Sequence, residues 1–210
     1  MLSAKILQRS GPGKSRVVGT PILMLALAIS AGLVSSCGGP LYRVKPAAEL
    51  PSMPDSAATA NLGSVTFRAM PLLSDEESQE LFEANLPLSG VLPIRTELIY
   101  ESGVPIDTKQ ARFRLRDDQG REWKWLSPKQ AISRILKANE ITAYNPSSRK
   151  EFEKEFAAYA LDLKTPLSAN EARKQGFLFF QSPDKRPVTS QQKLTLTVER
   201  LPQSATIALN

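Results

Sequence analysis

Carboxylates are the side chains in this sequence whose spacing comes closest to suggesting catalysis. Asp117 and Asp118 are adjacent, and Glu171 lies in a second polar segment. Two carboxylates can act as acid and base in a hydrolase or lyase when they face each other across a cleft at about 5–9 Å. Asp117 and Asp118, however, fall in a predicted hairpin turn, where turn chemistry alone explains them. We therefore predict no catalytic residue and a protein that is not an enzyme, with a carboxylate-based hydrolase or lyase as the alternative.

The chain lacks the residues on which the commonest catalytic and metal sites depend. It contains no histidine, and Cys37 is its only cysteine. Ser-His-Asp and Cys-His catalysis are therefore excluded, and a zinc site would need carboxylates and one thiol, which is not a usual ligand set. The segment Asp117-Asp118-Gln119 lacks the ordered oxygen ligands of a calcium loop. We predict neither a metal ion nor another cofactor.

The basic charge of the chain is concentrated near its amino terminus. The sequence has 27 basic and 21 acidic residues, a formal charge of +6. Residues 1–36 hold four of the basic residues and none of the acidic ones, so 23 basic residues stand against 21 acidic ones in the remainder. A nucleic-acid-binding surface needs a concentrated basic stripe, which this near balance does not provide. We predict no nucleic-acid partner.

Cys37 directly follows a segment built like an export signal. Residues 17–34 are uncharged and mostly apolar, they follow the basic start, and Ser35 and Ser36 are small. Basic, apolar and small-residue regions in this order are typical of a signal peptide. The alternative is a permanent transmembrane anchor, because residues 17–36 are long enough to cross about 30 Å of hydrocarbon.

The end of this segment favours the signal peptide. Leu33-Val34-Ser35-Ser36-Cys37 resembles the lipobox of bacterial lipoproteins, with Val34 where leucine is usual. The resemblance implies that Cys37 is lipidated on sulfur and becomes the new amino terminus when residues 1–36 are cleaved. Gly38 stands where aspartate retains enteric lipoproteins at the inner membrane, so the resemblance favours the outer membrane. We predict an exported protein of the bacterial cell envelope, held on the membrane by palmitate or another acyl chain on Cys37.

A flexible tether is predicted after the lipidated cysteine. Residues 38–63 are rich in proline, alanine, serine and glycine and show neither helical nor strand periodicity. Such a segment buries too little apolar surface to offset its ordering entropy. We assign residues 37–62 to the lipidated cysteine and tether, and residues 63–210 to a folded domain.

Strand patterns dominate the predicted domain. Residues 92–101 alternate between apolar and polar side chains, which predicts a half-buried strand. Residues 112–116 and 121–125 flank the turn at 117–120 and predict a β-hairpin. Further strands are predicted at residues 64–69, 177–180 and 194–198.

The two faces of the predicted hairpin differ in composition. Trp123 and Trp125 share a face with Phe113 and Leu115, and at alternate hairpin positions we expect them in the core rather than in an aromatic pocket. The other face carries arginines, a lysine and Glu122. We expect it to be a solvated sheet face, with a partner-binding strip as the alternative.

Helical patterns interrupt the strands between about residues 127 and 175. Ser127 and Pro128 predict the start of a helix over residues 128–138. Residues 148–163 carry an apolar stripe that we expect to cover the domain's own sheet, with docking on a partner or a bilayer as the alternative. Capping-box patterns predict short helices after Ser74 and, ending at Gly176, after Ser168.

These elements predict a mainly β (α+β) protein, an antiparallel β-sandwich with an inserted pair of helices. The strand and turn at residues 92–105, the hairpin segment 113–120, and the late segments 176–180 and 194–198 resemble immunoglobulin-like exported lipoprotein domains, including telokin-like ones, over about residues 63–201. Such families imply an envelope location and mostly no established chemistry. We predict a non-catalytic binding, structural or assembly module whose partner is an envelope protein, a glycan or a small ligand, with an envelope hydrolase or lyase as the alternative.

Overall fold

The computed structural model describes residues 42–46, 49–142, 145–188 and 193–209. Within these ranges the chain forms eight strands and three helices. The strands are β1 (Ala58–Asn61), β2 (Val65–Pro71), β3 (Val91–Tyr100), β4 (Arg112–Arg116), β5 (Glu122–Leu126), β6 (Arg173–Gln181), β7 (Leu194–Glu199) and β8 (Ala205–Leu209). The helices are α1 (Asp75–Phe82), α2 (Pro128–Ala138) and α3 (Pro146–Ala158). The predicted signal peptide and Cys37 lie outside the described residues.

The eight strands pair in one antiparallel order, β1-β2-β3-β6-β5-β4-β7-β8. β3 has ten residues and pairs with β6 from Val91 opposite Gln181 to Ile99 opposite Arg173. The edge strands β1 and β8 come close to each other, so the sheet is nearly closed. The prediction of a predominantly β, antiparallel protein with helices is therefore confirmed. Its strands follow one hydrogen-bonded order rather than dividing into two separate sheets.

The middle of the sheet is covered on both faces. In β6, Leu178 and Phe180 belong to the hydrophobic cluster that fills the inside of the curved sheet. Phe177 and Phe179 belong to a second cluster, which they share with all three helices. Successive side chains of a strand point to opposite faces, so the continuous apolar run of β6 is what a strand buried on both sides requires.

The second cluster contains six buried aromatic side chains. The ring centroid of Phe82 in α1 lies 5.3 Å from that of Phe156 and 5.2 Å from that of Tyr159. Phe156 in α3 stacks on Phe179 at 4.8 Å. The apolar stripe of α3 therefore packs on the chain's own sheet.

Local capping chemistry determines where the first two helices begin. The Ser74 side chain accepts a hydrogen bond from the Glu77 N–H at 3.3 Å, as its capping pattern predicted. The Ser127 hydroxyl and the Gln130 side chain each accept a hydrogen bond from the other's backbone N–H, and Pro128 occupies the first turn. In both helices the capping side chains accept hydrogen bonds from backbone N–H groups that have no partner inside the helix.

Two predictions in the helical region are wrong. α3 ends at Ala158 rather than at residue 163, because the chain beyond it is extended and Ala160 forms a parallel bridge with Phe177. The segment from Ser168 to Glu171 is a tight turn closed by reciprocal backbone hydrogen bonds of 3.3 and 3.0 Å, not the start of a helix. The residue types that cap helices also favour turns, so this pattern is ambiguous in a sequence.

Part of the predicted tether belongs to the folded body. Residues 58–61 form β1, which pairs with β2, and Val44 and Met53 are buried. The carbonyl groups of Pro51 and Pro54 accept hydrogen bonds from arginines of the sheet. Folded structure therefore begins before residue 63, because a proline-rich segment can gain order from the surface that it covers.

Candidate functional site

Asp117, the first carboxylate considered for catalysis, holds the β4–β5 turn together. Its Oδ1 accepts hydrogen bonds from the N–H groups of Gln119 at 3.1 Å and Arg121 at 2.9 Å, and its Oδ2 pairs with the Arg121 Nε at 2.8 Å. Burial acts to raise the pKa of Asp117, but these hydrogen bonds and the Arg121 charge outweigh it and lower the pKa below its usual value. The carboxylate is thus ionised and fully engaged within its own turn.

The other two carboxylates considered lie in exposed turns. Asp118 is exposed in the hairpin turn, and Glu171 is exposed at the turn before β6, where it accepts a hydrogen bond from Thr165 at 3.3 Å. Neither makes a hydrogen bond or ion pair with Asp117 in the described part of the chain. In the same residues, no group of three or more acidic, histidine or cysteine side chains is placed to hold a metal ion.

Arginines on the outer face of the hairpin pair with nearby carboxylates. Arg114 Nε lies 3.8 Å from an oxygen of Glu199, and Arg116 Nη2 lies 3.5 Å from an oxygen of Glu122. All four side chains are a third or more exposed. Interleaved, solvated charges of this kind fit a soluble sheet face.

Cys37, the predicted lipidation site, lies outside the described residues. Over the ranges that the structure describes, none of the helices has the length and apolar character needed to cross a bilayer.

The two tryptophans have different environments. Trp123 is buried in the inner cluster, with 2% of its surface exposed. Trp125 is 37% exposed, and its ring makes an edge contact with Phe113 at 5.5 Å. The expectation that both are core residues is wrong for Trp125, which lines an apolar cleft instead.

This Trp125 cleft has a volume of about 310 Å³. All but one of its lining residues are apolar, and Ser127 is the exception. They come from the end of β5 and the start of α2, from the two residues after Tyr159, and from β6: Trp125, Leu126, Ser127, Pro128, Ala160, Leu161, Phe177, Leu178 and Phe179.

The cleft exists because two segments share one edge of β6. β5 pairs with β6 only as far as Leu126 opposite Phe179, after which the chain turns into α2. Farther along, Phe177 donates a hydrogen bond to the Tyr159 carbonyl at 2.6 Å and accepts one from the Leu161 N–H at 3.1 Å. The cleft lies between these two pairings.

Gly176 allows the second pairing. A Cβ atom at this position would lie 2.5 Å from the Cα and backbone nitrogen of Leu161, much closer than van der Waals contact permits. Only glycine lets the backbone after α3 approach β6 so closely. In the sequence, a glycine inside an apolar strand was the one signal of this close approach.

A buried polar cluster on the helical face of the sheet was also missed. Glu97 is fully buried and pairs with Arg68 at 3.2 Å, with Arg173, and with the Gln175 amide at 2.7 Å. The hydrogen bond that Arg173 donates to Glu97 raises the pKa of the Arg173 guanidinium. The sequence placed Glu97 on the polar, solvent-facing side of a half-buried strand, whereas residues 91–98 are buried throughout.

Arg95 lies beside this cluster and is 5% exposed. Its Nη2 donates to the Pro51 carbonyl and to the Gln175 side-chain oxygen, the latter at 3.4 Å. Its buried Nε has no hydrogen-bond partner among the residues that the structure describes. Burial lowers the pKa of Arg95 below its usual value; the Glu97 charge opposes this shift and the Arg173 charge adds to it.

Arg95 forms part of the wall of a second cleft, of about 200 Å³, which we call the Arg95 cleft. Residues before β1, together with α1, β2 and β3, enclose it. The lining residues are Lys45, Glu49, Leu50, Pro51, Met70, Leu72, Glu77, Glu80, Leu81 and Arg95. The buried Tyr159 hydroxyl also has no hydrogen-bond partner within the described ranges. Burial, with a contribution from the Glu49 charge, raises its pKa to about 12.

No protein-family model matches this chain, and no curated protein or solved structure is significantly similar to it.

Proposed function

We propose that this protein is a bacterial envelope lipoprotein, anchored through Cys37, whose folded body binds a small apolar ligand in the Trp125 cleft. Its role is binding rather than catalysis. The observation that carries the ligand part is the partly exposed Trp125 at the mouth of an otherwise apolar cleft.

The cleft suits a hydrocarbon or single-ring group better than a glycan. Its volume is at the lower end of the range of about 300–1,000 Å³ found for small-molecule sites. Ser127 supplies the only side-chain hydroxyl in the lining, whereas a glycan needs several hydrogen-bonding groups. Covering the exposed part of Trp125 removes apolar surface from water, which favours binding by about 25 cal/mol per Å².

We also propose that the folded body is related to immunoglobulin-like, telokin-like exported domains. In its support, β3, β4 with the turn that follows it, β6 and β7 lie at the segments that carry the sequence resemblance. The outer membrane is the proposed location, since Gly38 follows the cysteine.

Metabolic labelling tests the anchor. Cells that express the full chain are grown with a clickable fatty-acid analogue, and we expect label on the wild type and its recovery in the membrane fraction. Cys37→Ser should lose both, while Ser35→Ala should keep both, since it retains a small residue in the lipobox. Equal labelling of Cys37→Ser and wild type would show that the anchor is assigned wrongly.

Tryptophan fluorescence tests the cleft, because the chain has only two tryptophans. Trp123→Phe leaves Trp125 as the sole reporter, and Trp125→Phe leaves the buried Trp123. With the neutral apolar probe N-phenyl-1-naphthylamine, we expect saturable energy transfer from Trp125.

Filling the cleft separates specific binding from adsorption. Ala160→Leu places a larger side chain in the cleft and should weaken the binding of the probe at least about tenfold, since it removes the space that the probe occupies. Ala158→Leu, at the exposed end of α3, is the matched control. Equal binding by both variants would rule out the cleft as the site.

A further inference from the structure

We propose that the Arg95 cleft binds a small zwitterion, an α-amino acid with an apolar side chain, whose carboxylate pairs with Arg95. The site is separate from the Trp125 cleft, since the two share no lining residue. The proposal therefore stands or falls independently of the proposed function.

The first observation is a buried guanidinium that makes no direct ion pair in the described residues. Arg95 makes no ion pair in the described residues, and both partners of its Nη2, the Pro51 carbonyl and the Gln175 side chain, are uncharged. Its buried Nε makes no hydrogen bond to any residue that the structure describes. A buried charge without a direct ion pair is costly, and the carboxylate of a ligand would supply that ion pair.

Glu97, the nearest carboxylate along the strand, does not fill this role. Its Oε2 pairs with Arg68, and its Oε1 accepts hydrogen bonds from Arg173 and Gln175. Both oxygens are therefore occupied by donors other than Arg95, and Glu97 does not contribute to the lining of the Arg95 cleft. Arg95 remains available to a ligand.

The second observation is the opposite charge at the mouth of the cleft. Glu49, Glu77 and Glu80 are exposed and line the cleft, and only Glu80 is paired, with Lys45. In the described residues, Glu49 and Glu77 have no ion pair. Three carboxylates outnumber the two cations, so a simple anion would be repelled at the mouth, whereas a ligand that also carries an ammonium group would not.

The third observation is the apolar wall between these charges. It is formed by Leu50, Pro51, Met70, Leu72 and Leu81. The volume of about 200 Å³ is below the usual range for drug-sized ligands and suits one amino acid rather than a peptide. Carboxylate, apolar side chain and ammonium group would each meet a complementary part of the cleft.

Three probes with the same carbon skeleton test the proposal on the wild-type full chain, purified in detergent. L-Leucine carries both charges, L-leucinamide lacks the carboxylate, and 4-methylpentanoate lacks the ammonium group. By isothermal titration calorimetry we expect leucine to bind saturably, 4-methylpentanoate to bind several-fold more weakly, and leucinamide to bind at least about tenfold more weakly, as expected for the loss of a charge-assisted hydrogen bond.

Variants locate the site. Arg95→Gln should weaken leucine binding at least about tenfold. Because this change also alters the contact with Pro51, a second variant leaves the buried groups intact: Glu49→Gln combined with Glu77→Gln should lower leucine affinity to that of 4-methylpentanoate. Glu76→Gln, in the same turn of α1 but outside the cleft lining, is the matched control and should bind leucine as the wild type does.

Three results would overturn the proposal. They are the absence of saturable leucine binding to the folded wild type, leucinamide binding as strong as that of leucine, and loss of leucine binding in Ala160→Leu, which would move the ligand to the Trp125 cleft.

Discussion

At the scale of single residues, this protein buries acidic and basic side chains that the alternation of apolar and polar residues along a strand would place in water. Glu97 lies at zero exposure and is stabilised by two arginines and an amide. Removing one partner of such a cluster leaves the other charges without compensation, which costs more than the cluster contributes as a whole.

We predict that Glu97→Ala lowers the free energy of unfolding by about 3 kcal/mol. The change removes the shared acceptor of Arg68, Arg173 and Gln175. Chemical denaturation followed by circular dichroism measures the effect. Glu122→Ala is the control, because its exposed pair with Arg116 should contribute less than about 1 kcal/mol. Similar losses in both variants would mean that the Glu97 cluster does not stabilise the fold specifically.

Asp117 gives the protein a pH-dependent contribution to stability. Its folded-state pKa is lowered, so this contribution is complete above the unfolded value, about 3.9, and is lost as the pH falls through the lower folded-state value. We predict that Asp117→Asn is less stable than wild type at neutral pH and that the difference shrinks below about pH 4. Thermal unfolding at a series of pH values measures it. A difference that stays constant with pH would show that the carboxylate charge has no part in the turn.

At the scale of elements, the contact between β6 and the segment after α3 depends on one missing side chain. A Cβ atom at position 176 would overlap the backbone of Leu161, which a rotamer change cannot relieve. The same contact forms one wall of the Trp125 cleft, so stability and cleft shape are coupled here.

We predict that Gly176→Ala destabilises the protein by about 3 kcal/mol or more, or displaces residues 159–161 from β6. Urea denaturation measures the first effect, and loss of apolar probe binding reports the second. Gly120→Ala is the control: its φ is +76° with no atom within 4 Å of the added Cβ, so backbone strain of about 1 kcal/mol is its only cost. If Gly176→Ala were no more harmful than Gly120→Ala, the close approach would not exist in solution.

At the scale of the whole molecule, residues 49–57, which precede β1, belong to the folded body. The carbonyl groups of Pro51 and Pro54 bind Arg95 and Arg68 on the sheet. The side chain of Met53, between these prolines, is buried. Disordered chain would leave these arginines and the sheet face beneath them open to water.

We predict that Met53→Ala lowers the free energy of unfolding by about 2–4 kcal/mol, because truncating a buried side chain loses its transfer energy and leaves a cavity. Ser52→Ala, exposed and adjacent, should change it by less than about 0.5 kcal/mol. Equilibrium denaturation of the full chain measures both. If Met53→Ala left the free energy of unfolding unchanged, the result would favour the flexible tether that composition predicted.

The sequence by itself determined features whose physical causes are local. The caps of α1 and α2 and the Asp117 turn each depend on hydrogen bonds between residues at most four apart, and the lipobox resemblance at Cys37 covers five residues. Period-two alternation identified β2, β3, β7 and the β4–β5 hairpin, and with them the β-rich class, because side chains on one face of a strand share one environment. It did not identify β1, which composition had placed in the tether. The lipid anchor itself stays a prediction.

Only the tertiary structure decided which polar groups are buried and where the clefts lie. Arg95 is buried by Pro51 and Gln175, which are 44 and 80 residues away, and Trp125 is exposed because β5 and the segment after α3 leave a gap along β6. Burial depends on which distant segment covers a strand, and no local propensity encodes that choice. Both candidate sites arise from such coverage, which is why composition and spacing predicted neither of them.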